Sequence, residues 1–432
     1  MFMEKLNEEF IINLSKLKNE PEWMTHFRLE SYKEFLNQDE PTFGPELNIN
    51  FDDILYYKKT ESVKSDWKDV NKSTYQTFCK LGVVDAENKY LDGVSNQLES
   101  EVVYHKNITD KDIIFCSTDK ALQEHPELFK KYFNSLVKYN ENKYTALNGA
   151  VWSGGSFIYI PPHTKVDRPL QSYFRIDSES LGQFERTIII VDDYAEVSYI
   201  EGCTARSYSK NSLHAGVVEI YVGKGAKCRY STIQNWSNDV YNLVTKRAIV
   251  DEYGIMEWID GNVGSGVTMK YPSVILNGHH ASGNCISIAY AKHGQILDAG
   301  AKMIHLAPYT KSNIVNKSIA TGGGIANYRG TTRITNKAHH SIANVKCDTI
   351  LMDNISKSDT YPKNIVDNPT SILEHEATVS KVNEEKLFYL ESRGLSEERA
   401  KELFILGFVE DFKKELPMEY AVELNRLLTE EL

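Results

Sequence analysis

One unit of sequence recurs in the middle of this chain: a short apolar run, a polar turn and a second short run. The first runs of three copies occupy residues 184–191, 217–222 and 246–250. Their spacing of about 30 residues is typical of repeat architectures, in which a single unit is too small to bury its apolar side alone. The repetition therefore predicts stacked coils of strand and turn, a β-helix or β-solenoid.

Looser copies of this unit continue as far as residue 345, and helical patterns are nearly absent from residues 150–352. An ordinary β-sandwich is an alternative, because it also contains short strands at regular spacing. The recurrence of the turn favours the solenoid.

Helical patterns precede the repeated region. Apolar residues at helical spacing predict helices within residues 1–37 and again over residues 119–139, where Pro126 should break the helix. Residues 38–100 are polar and irregular, with short amphipathic pieces.

After Asp367 the helical pattern returns. Ser396 is predicted to cap one helix there, and Pro417 to begin the last one. The chain is therefore expected to be mainly β with helical flanks. The predicted division is an N-terminal helical and irregular region at 1–149, a β-helix core at 150–366 and a C-terminal helical domain at 367–432.

The charge and cysteine content exclude several function classes. A net charge of −11 argues against nucleic-acid binding, which needs a basic face. The apolar runs are too short to cross a membrane, and the start of the chain lacks the apolar core of a signal peptide. The six cysteines are scattered rather than paired in a framework, which fits a reducing compartment. We expect a cytoplasmic protein.

Cys347 stands near residues that can bind iron: Glu374, His375 and Glu376 follow within about 30 residues, and a thiol, an imidazole and carboxylates are suitable ligands. Taken alone, a single cysteine is more often a small buried hydrophobe. A zinc protease is excluded, because Val379 stands where the second histidine of that motif would be. The sequence contains no C-x-x-C pair and no phosphate-binding P-loop.

Several long phrases carry a resemblance to a known family. They are Pro21-Glu22-Trp23-Met24, Ser100-Glu101-Val102-Val103-Tyr104-His105, Ala150-Val151-Trp152-Ser153-Gly154-Gly155-Ser156, Tyr199-Ile200-Glu201-Gly202-Cys203-Thr204-Ala205, Thr232-Ile233-Gln234-Asn235-Trp236-Ser237 and Glu415-Leu416-Pro417-Met418-Glu419-Tyr420. With them the chain resembles the SufB/SufD family of iron–sulfur cluster assembly, and within it the SufB scaffolds.

The resemblance implies a right-handed parallel β-helix core flanked by N-terminal and C-terminal α-helical regions. It implies a scaffold rather than an enzyme, on which sulfur and iron form a transient iron–sulfur cluster. The implied partners are the SufC ATPase, bound through the C-terminal helices, and SufD or a second copy of this chain along the β-helix. A cysteine desulfurase or sulfur-transfer protein would supply sulfur, and reduced flavin is a further cofactor of the family.

The resemblance also assigns roles to single residues. Cys203 would accept sulfur first, and Cys347 would be the terminal acceptor and a cluster ligand. Glu376, with Glu374 and His375, would complete the metal ligands of this chain. The side chains implied to line the sulfur route are Arg175, Gln234, Trp236 and Lys246.

Asp177 departs from the family pattern, in which asparagine is expected. A carboxylate there would repel an anionic persulfide unless Arg175 paired with it or it were protonated. The four other cysteines are expected to be structural: Cys79, Cys116, Cys228 and Cys285.

Two other function classes remain to be weighed. A carbohydrate-active β-helix enzyme would need paired carboxylates on one outer face. A SufD-like structural subunit would dock the ATPase without binding sulfur, a role against which Cys203, Lys246 and Cys347 argue.

Overall fold

The computed structural model describes residues 5–60, 62–81, 83–108, 112–208, 211–382, 384–416 and residue 424. Ten helices lie in this part of the chain: α1 (Glu8–Leu17), α2 (Glu22–Asn37), α3 (Lys72–Lys80), α4 (Val83–Tyr90), α5 (Thr118–Glu124), α6 (Pro126–Tyr132), α7 (Lys143–Val151), α8 (Glu384–Ser392), α9 (Glu397–Phe408) and α10 (Glu410–Lys414). None of these helices is both long and apolar enough to cross a membrane.

The described strands are β1 (Gly93–Leu98), β2 (Glu101–Lys106), β3 (Ile114–Ser117), β4 (Ser156–Ile160), β5 (Leu170–Ile176), β6 (Gly182–Gln183), β7 (Arg186–Val191), β8 (Glu196–Ala205), β9 (Ser212–His214), β10 (Val217–Val222), β11 (Lys227–Asn235), β12 (Val240–Val250), β13 (Ile255–Val263), β14 (Val267–Lys270), β15 (Ser273–Leu276), β16 (Ser282–Ala291), β17 (Ile296–His305), β18 (Lys311–Ala320), β19 (Ile325–Ile334), β20 (Ile342–Leu351), β21 (Thr360–Val366) and β22 (Ile372–Lys381).

These strands form a β-solenoid of about 8 turns, as the repeat predicts. The first sheet runs in the order β2-β1-β5-β8-β11-β13-β16-β18-β20-β22, and all its pairings after β2 are parallel. The second sheet contains β21, β19, β17, β14, β12, β10, β7, β4 and β3 as its main path. Chain segments alternate between the two sheets, so each coil contributes one layer to both.

The recurring turn has a left-handed residue in each coil. Tyr194, Gly225 and Tyr253 occupy it with φ of 58°, 62° and 57°. A residue other than glycine pays about 1–2 kcal/mol for this conformation. Stacking between coils offsets part of that cost: the rings of Tyr253 and His280 lie 4.9 Å apart at an angle of 6°.

The helices predicted at the N-terminal side are found with shifted limits. Residues 119–139 form α5 and α6, separated at His125 before Pro126 as predicted, but the second ends at Tyr132. The region predicted to be irregular, residues 38–100, contains α3, α4 and β1. Strand β1 was missed because it pairs with β5 far along the chain, a contact that local patterns do not reveal.

The helical pattern predicted after Asp367 begins only at Glu384, and residues 372–381 form β22. Pairing with β20 along its whole length overrides the local preference of this segment. Ser396 caps α9 as predicted, its side chain accepting from the backbone N–H of Arg399. The helix predicted from Pro417 lies outside the described residues, apart from residue 424.

The domain division at residues 149 and 366 stays a prediction. Strand β1 precedes the first of these limits and β22 follows the second, yet both strands belong to the first sheet of the solenoid.

The solenoid buries apolar residues on both surfaces of its first sheet. On the outer surface, isoleucines of successive strands, such as Ile233 and Ile259, pack against Ile405, Val409 and Phe412 of the C-terminal helices. On the inner surface, the early inward positions of the strands are mostly apolar, and the two that follow are polar or carry a thiol, except Ala289 on β16. This second set forms the candidate site.

Candidate functional site

A column of polar side chains runs inside the solenoid along the first sheet. Its members occupy the same position in six successive strands, where adjacent residues pair in register and all are buried. They point inward because the residues on either side pack outward, as Ile200, Ile233 and Ile259 do. In order, the column is Glu201, Thr232, Asp260, Ser287, Asn316 and Cys347.

A second inward column begins at Cys203, two residues further along each strand. It continues through Gln234, Asn262, Ala289, Ser318 and Thr349. Hydrogen bonds join the two columns: Asn262 donates to Asp260 at 3.2 Å, and Asn316 donates to Ser318 at 3.0 Å. We call the two columns together the polar track.

The polar track connects two buried thiols that cannot touch. Cys203 lies on β8 and Cys347 on β20, five strands further along the sheet. At about 4.8 Å per strand, the two coils are about 24 Å apart along the solenoid. Any exchange between the thiols must therefore pass through the groups between them.

Cys203 lies among residues that can donate to an anion. The amide nitrogen of Gln234 is 4.0 Å from its Sγ atom. Trp236 belongs to the same buried cluster, and its indole N–H has no acceptor among the described residues. Burial, followed by the charges of Glu201 and Glu185, raises the pKa of the Cys203 thiol well above its ordinary value.

Lys246 reaches the polar track from the opposite sheet. Its Nζ atom is 3.1 Å from a carboxylate oxygen of Glu201, and both side chains are 1% exposed. The hydroxyl of Tyr230 donates to the same carboxylate. Burial disfavours the charged forms of both groups. The attraction between the carboxylate and the ammonium nevertheless lowers the pKa of Glu201 and raises the pKa of Lys246 relative to their ordinary values.

A second buried cation, Lys270, was missed from the sequence. Its Nζ atom is 2.8 Å from the side-chain oxygen of Gln234 and 2.8 Å from Asp260. Burial lowers the pKa of Lys270, whereas the two lysines hold that of Asp260 below its ordinary value despite burial. The available signal was a single charged residue at the end of the short strand Val267–Lys270, two positions after the polar Thr268 on the same face.

A buried histidine extends the polar network on the second sheet. His214 contacts Glu185 at 2.7 Å and Asn242 at 2.8 Å, and its ring lies 4.7 Å from that of Trp236. Although burial disfavours the imidazolium, Glu185 raises the pKa of His214. Sequence reasoning missed this group, because the contact joins separate coils.

Arg175 lies on the other side of the sheet from Cys203. Its neighbour Phe174 pairs with Cys203, so Arg175 projects with Thr204, to which it donates at 3.1 Å. The guanidinium also pairs with Asp177 at 2.8 Å. The carboxylate at the unusual position is thus paired, and Arg175 is not in contact with the thiol.

Cys347 forms the far end of the track. Its Sγ atom is 4.0 Å from Nε2 of His375, whose Nδ1 lies 3.1 Å from the amide nitrogen of Asn364. Cys347 itself is 3% exposed, and one further strand of the sheet, β22, covers it. Burial raises the pKa of Cys347 to about 12, although a hydrogen bond with Tyr328 opposes this shift.

The predicted metal ligands are divided between the two faces of β22. His375 pairs with Val345 and shares the inward face with Cys347, whereas Glu374 and Glu376 pair with Asn344 and Lys346 on the outer face. Glu376 lies 3.8 Å from the Lys346 ammonium. Within the described part of the chain, no three such ligands lie close enough to hold a metal ion.

At the solenoid end next to Cys347, no described strand pairs with the outer edge of β21 or β22. Strands β21 and β22 are the last members of their sheets, and most of their residues are exposed. Ile372 and Val379 are 54% and 49% exposed there. Unpaired strand edges with apolar side chains are suited to pairing with another chain.

Comparisons with known proteins agree over almost the whole length. Residues 174–408 match the family described as SUF system FeS cluster assembly, SufBD core domain, and residues 9–172 match the SufBD protein N-terminal region. The chain is 57% identical to a protein of Staphylococcus aureus (strain MRSA252) named iron-sulfur cluster assembly SufBD family protein, covering 99% of this chain and 93% of the relative. A protein of the same description from Staphylococcus saprophyticus is 56% identical with the same coverage.

Proposed function

This chain belongs to the SufBD family of iron–sulfur cluster assembly proteins, and we propose that it is a SufB-type scaffold. In this role Cys203 accepts sulfur, the polar track conducts it through the solenoid, and Cys347 receives it where a cluster is assembled. The observation that carries the proposal is the polar track itself. It joins the two thiols, and on every strand between them at least one of the two columns has a polar side chain.

The polar track suits an anionic form of sulfur. A buried anion is stable only where donors and cations replace its water. Gln234 and Trp236 supply donors near Cys203. Lys246 and Lys270 supply cations, which an anion would share with Glu201 and Asp260, the carboxylates that pair with them. An alternative is that the polar interior serves only the stability of the fold. Stability alone does not require it, because a protein in which apolar residues of similar volume replace a buried ion pair is often equally stable.

Sulfur would enter by thiol–persulfide exchange. The Cys203 sulfur attacks the outer sulfur of a persulfide anion on the donor protein, the donor's S–S bond breaks, and the proton of Cys203 passes to the released donor thiol. No oxidant or reductant is consumed. Since Cys203 and Cys347 are about 24 Å apart, they cannot exchange sulfur directly. With hydrogen sulfide as co-reactant, HS⁻ would take the outer sulfur of the Cys203 persulfide and leave as HSS⁻, releasing the Cys203 thiol. HSS⁻ would then pass that sulfur to the Cys347 thiol and release HS⁻, so no oxidant or reductant is consumed.

Iron would bind at the solenoid end next to Cys347. Cys347 and His375 are one part of its ligand set. Glu374 and Glu376 lie on the opposite face, so they join the site only if the last coil shifts or if the ligands act in turn. A partner, SufD or a second copy of this chain, would complete the set by pairing with β21 and β22.

The C-terminal helices are the proposed docking surface for a SufC ATPase. Phe388, Tyr389 and Leu403 are 69%, 58% and 38% exposed on these helices. We propose that this chain hydrolyses no ATP itself and that the ATPase opens the interface at Cys347. A cysteine desulfurase or sulfur-transfer protein would be the sulfur donor.

Three further expectations stay predictions. All six cysteines are free, which suits a cytoplasmic location. The iron–sulfur cluster is treated as cargo that leaves the scaffold. Binding of reduced flavin rests on the family resemblance alone.

A SufD-like structural role is the alternative favoured by one observation, the division of the predicted ligands around Cys347. Such a subunit would carry the same fold and dock the ATPase, but it would not load sulfur. The following experiment separates the two roles.

Persulfide mapping by mass spectrometry tests the proposal. The chain is incubated with a sulfur donor, alkylated and digested, and persulfide is measured at each cysteine. We expect persulfide at Cys203 and Cys347 in the wild type, at neither in Cys203→Ser, and at Cys203 only in Asn316→Leu. Cys228→Ser, which alters a thiol in the apolar part of the interior, should load like the wild type. Wild-type loading of Cys347 in Cys203→Ser would contradict the route.

A further inference from the structure

A cavity of about 480 Å³ lies on the outer surface of the second sheet. Its lining includes Lys246, whose side chain pairs with Glu201 in the interior of the solenoid. Residues 38–43, which follow α2, cover one side of it, and β12, β14, β15 and β17 form its floor. The covering segment ends at Gly44, which has a φ of 85° and passes close to the Met269 side chain. The volume of the cavity is in the usual range for small-molecule sites.

Lys302 enters this cavity without a counter-charge. No carboxylate of the described residues lies within ion-pair distance of its ammonium, and the nearest recorded partner is the ring of Tyr271, 5.4 Å from Nζ. Burial, followed by the charge of Arg247, lowers the pKa of Lys302; the charge of Glu141 opposes this shift, and those of Arg329 and Lys363 add to it.

The nearby carboxylates are already engaged. Glu141 binds Arg247 with both oxygens, at 2.7 and 2.8 Å. Asp298 accepts from Arg329 at 3.1 Å and from the Tyr271 hydroxyl at 2.7 Å.

The covering segment contributes two carboxylates to the lining. Glu40 pairs with Lys143 at 3.3 Å, and Asp39 is exposed. The three cations of the lining, Lys246, Arg247 and Lys302, all belong to the strands of the floor, and its three carboxylates, Asp39, Glu40 and Glu141, lie outside those strands.

Polar and aromatic groups surround Lys302. Ser273 pairs with it in register on the next strand, so the two side chains project from the same surface. Phe43 and Tyr271 place their rings 6.0 Å apart at the edge of the cavity. A cation, a hydroxyl and two aromatic rings match a molecule with a charged end and a flat apolar body.

We propose that this cavity binds a small organic anion, with a carboxylate or phosphate group against Lys302 and Ser273 and a planar apolar portion beside Phe43 and Tyr271. A half-buried ammonium without a counter-ion in contact is partly desolvated, and a bound anion offsets that cost. The covering segment and the recessed floor favour a small molecule over a protein surface.

Four simple compounds test the site in the full-length protein. Phenyl phosphate and benzoate each combine an oxyanion with a ring, inorganic phosphate lacks the ring, and phenol lacks the charge. Binding is measured by ligand-observed NMR and calorimetry. We expect at least one of the two aromatic anions to bind at least about tenfold more tightly than both inorganic phosphate and phenol. Which of the two binds better identifies the natural headgroup as phosphate or carboxylate.

Matched variants assign the binding to Lys302. Lys302→Met should weaken the aromatic anion by about tenfold or more, because one charge-assisted hydrogen bond is lost. Phe43→Ala should weaken it while leaving Lys302 in place. Lys311→Met, an exposed lysine at the start of β18, should bind like the wild type. Absence of binding, equal binding of phenol, or unchanged binding in Lys302→Met would overturn the proposal.

Discussion

Lys246→Met tests whether the interior charges of the polar track are paired as the structure indicates. The substitution leaves Glu201 buried with a 1% exposed side chain and without its cation. Removing one member of a buried pair costs about 3–5 kcal/mol. Because the Tyr230 hydroxyl still donates to Glu201, we expect the lower end, about 3 kcal/mol.

Urea unfolding measures this cost. The double variant Lys246→Met with Glu201→Gln removes both charges, so it should be more stable than Lys246→Met alone. An exposed pair on the same solenoid, Lys224 with Glu252 at 2.9 Å, is the control, and Lys224→Met should destabilise the protein far less than Lys246→Met, because solvent screens an exposed pair. A loss below about 1 kcal/mol in Lys246→Met, or a double variant as unstable as the single one, would refute the reasoning.

The same pair has a defined pH dependence. The folded pKa of Glu201 lies below its ordinary value of 4.5. Its contribution to stability is therefore fully present above about pH 4.5 and is lost as the pH falls through the lower, folded value. In Glu201→Gln the decrease in stability on acidification below pH 4.5 should be smaller than in the wild type.

Three other predictions concern the solenoid end next to Cys347, the helices and the unusual aspartate. Cys347 should react with iodoacetamide far more slowly than the exposed Cys79 at neutral pH, and addition of ATP to the complex with the ATPase should accelerate it; an equal rate with and without ATP would contradict an opening step. Phe388→Glu with Tyr389→Glu should abolish co-purification with the ATPase without unfolding the chain; retained co-purification would place the docking surface elsewhere. Asp177→Asn should change stability by less than about 1 kcal/mol, because its ion pair is partly exposed, and a larger loss in urea unfolding would contradict that assignment.

The fold was largely predictable from the sequence because the coils repeat. The turns at residues 192–194, 223–225 and 251–254 recur with the strands, and each is found between the two sheets. Strands β1 and β22 were not predicted. Each takes its conformation from a neighbouring coil distant in sequence, and neither has a strong local pattern of its own.

The candidate site was predictable in its end points rather than in its interior. The family resemblance assigned roles to Cys203 and Cys347, but Lys270 and His214 were recognised only from contacts between coils. The sequence also could not show that His375 lies on the inward face of the sheet with Cys347, whereas Glu376 lies on the outer face. Which face of a strand each residue occupies depends on the register of β22 against β20.

The most direct test of the scaffold is the iron and acid-labile sulfide content after anaerobic co-expression with the ATPase partner and a sulfur donor. Wild-type protein is compared with Cys347→Ala and with Cys285→Ala, whose thiol lies in the apolar interior. The account predicts iron and sulfide in the wild type and in Cys285→Ala, and their loss in Cys347→Ala. Equal content in all three proteins would place the cluster elsewhere, and absence from all three would leave the chain a structural subunit.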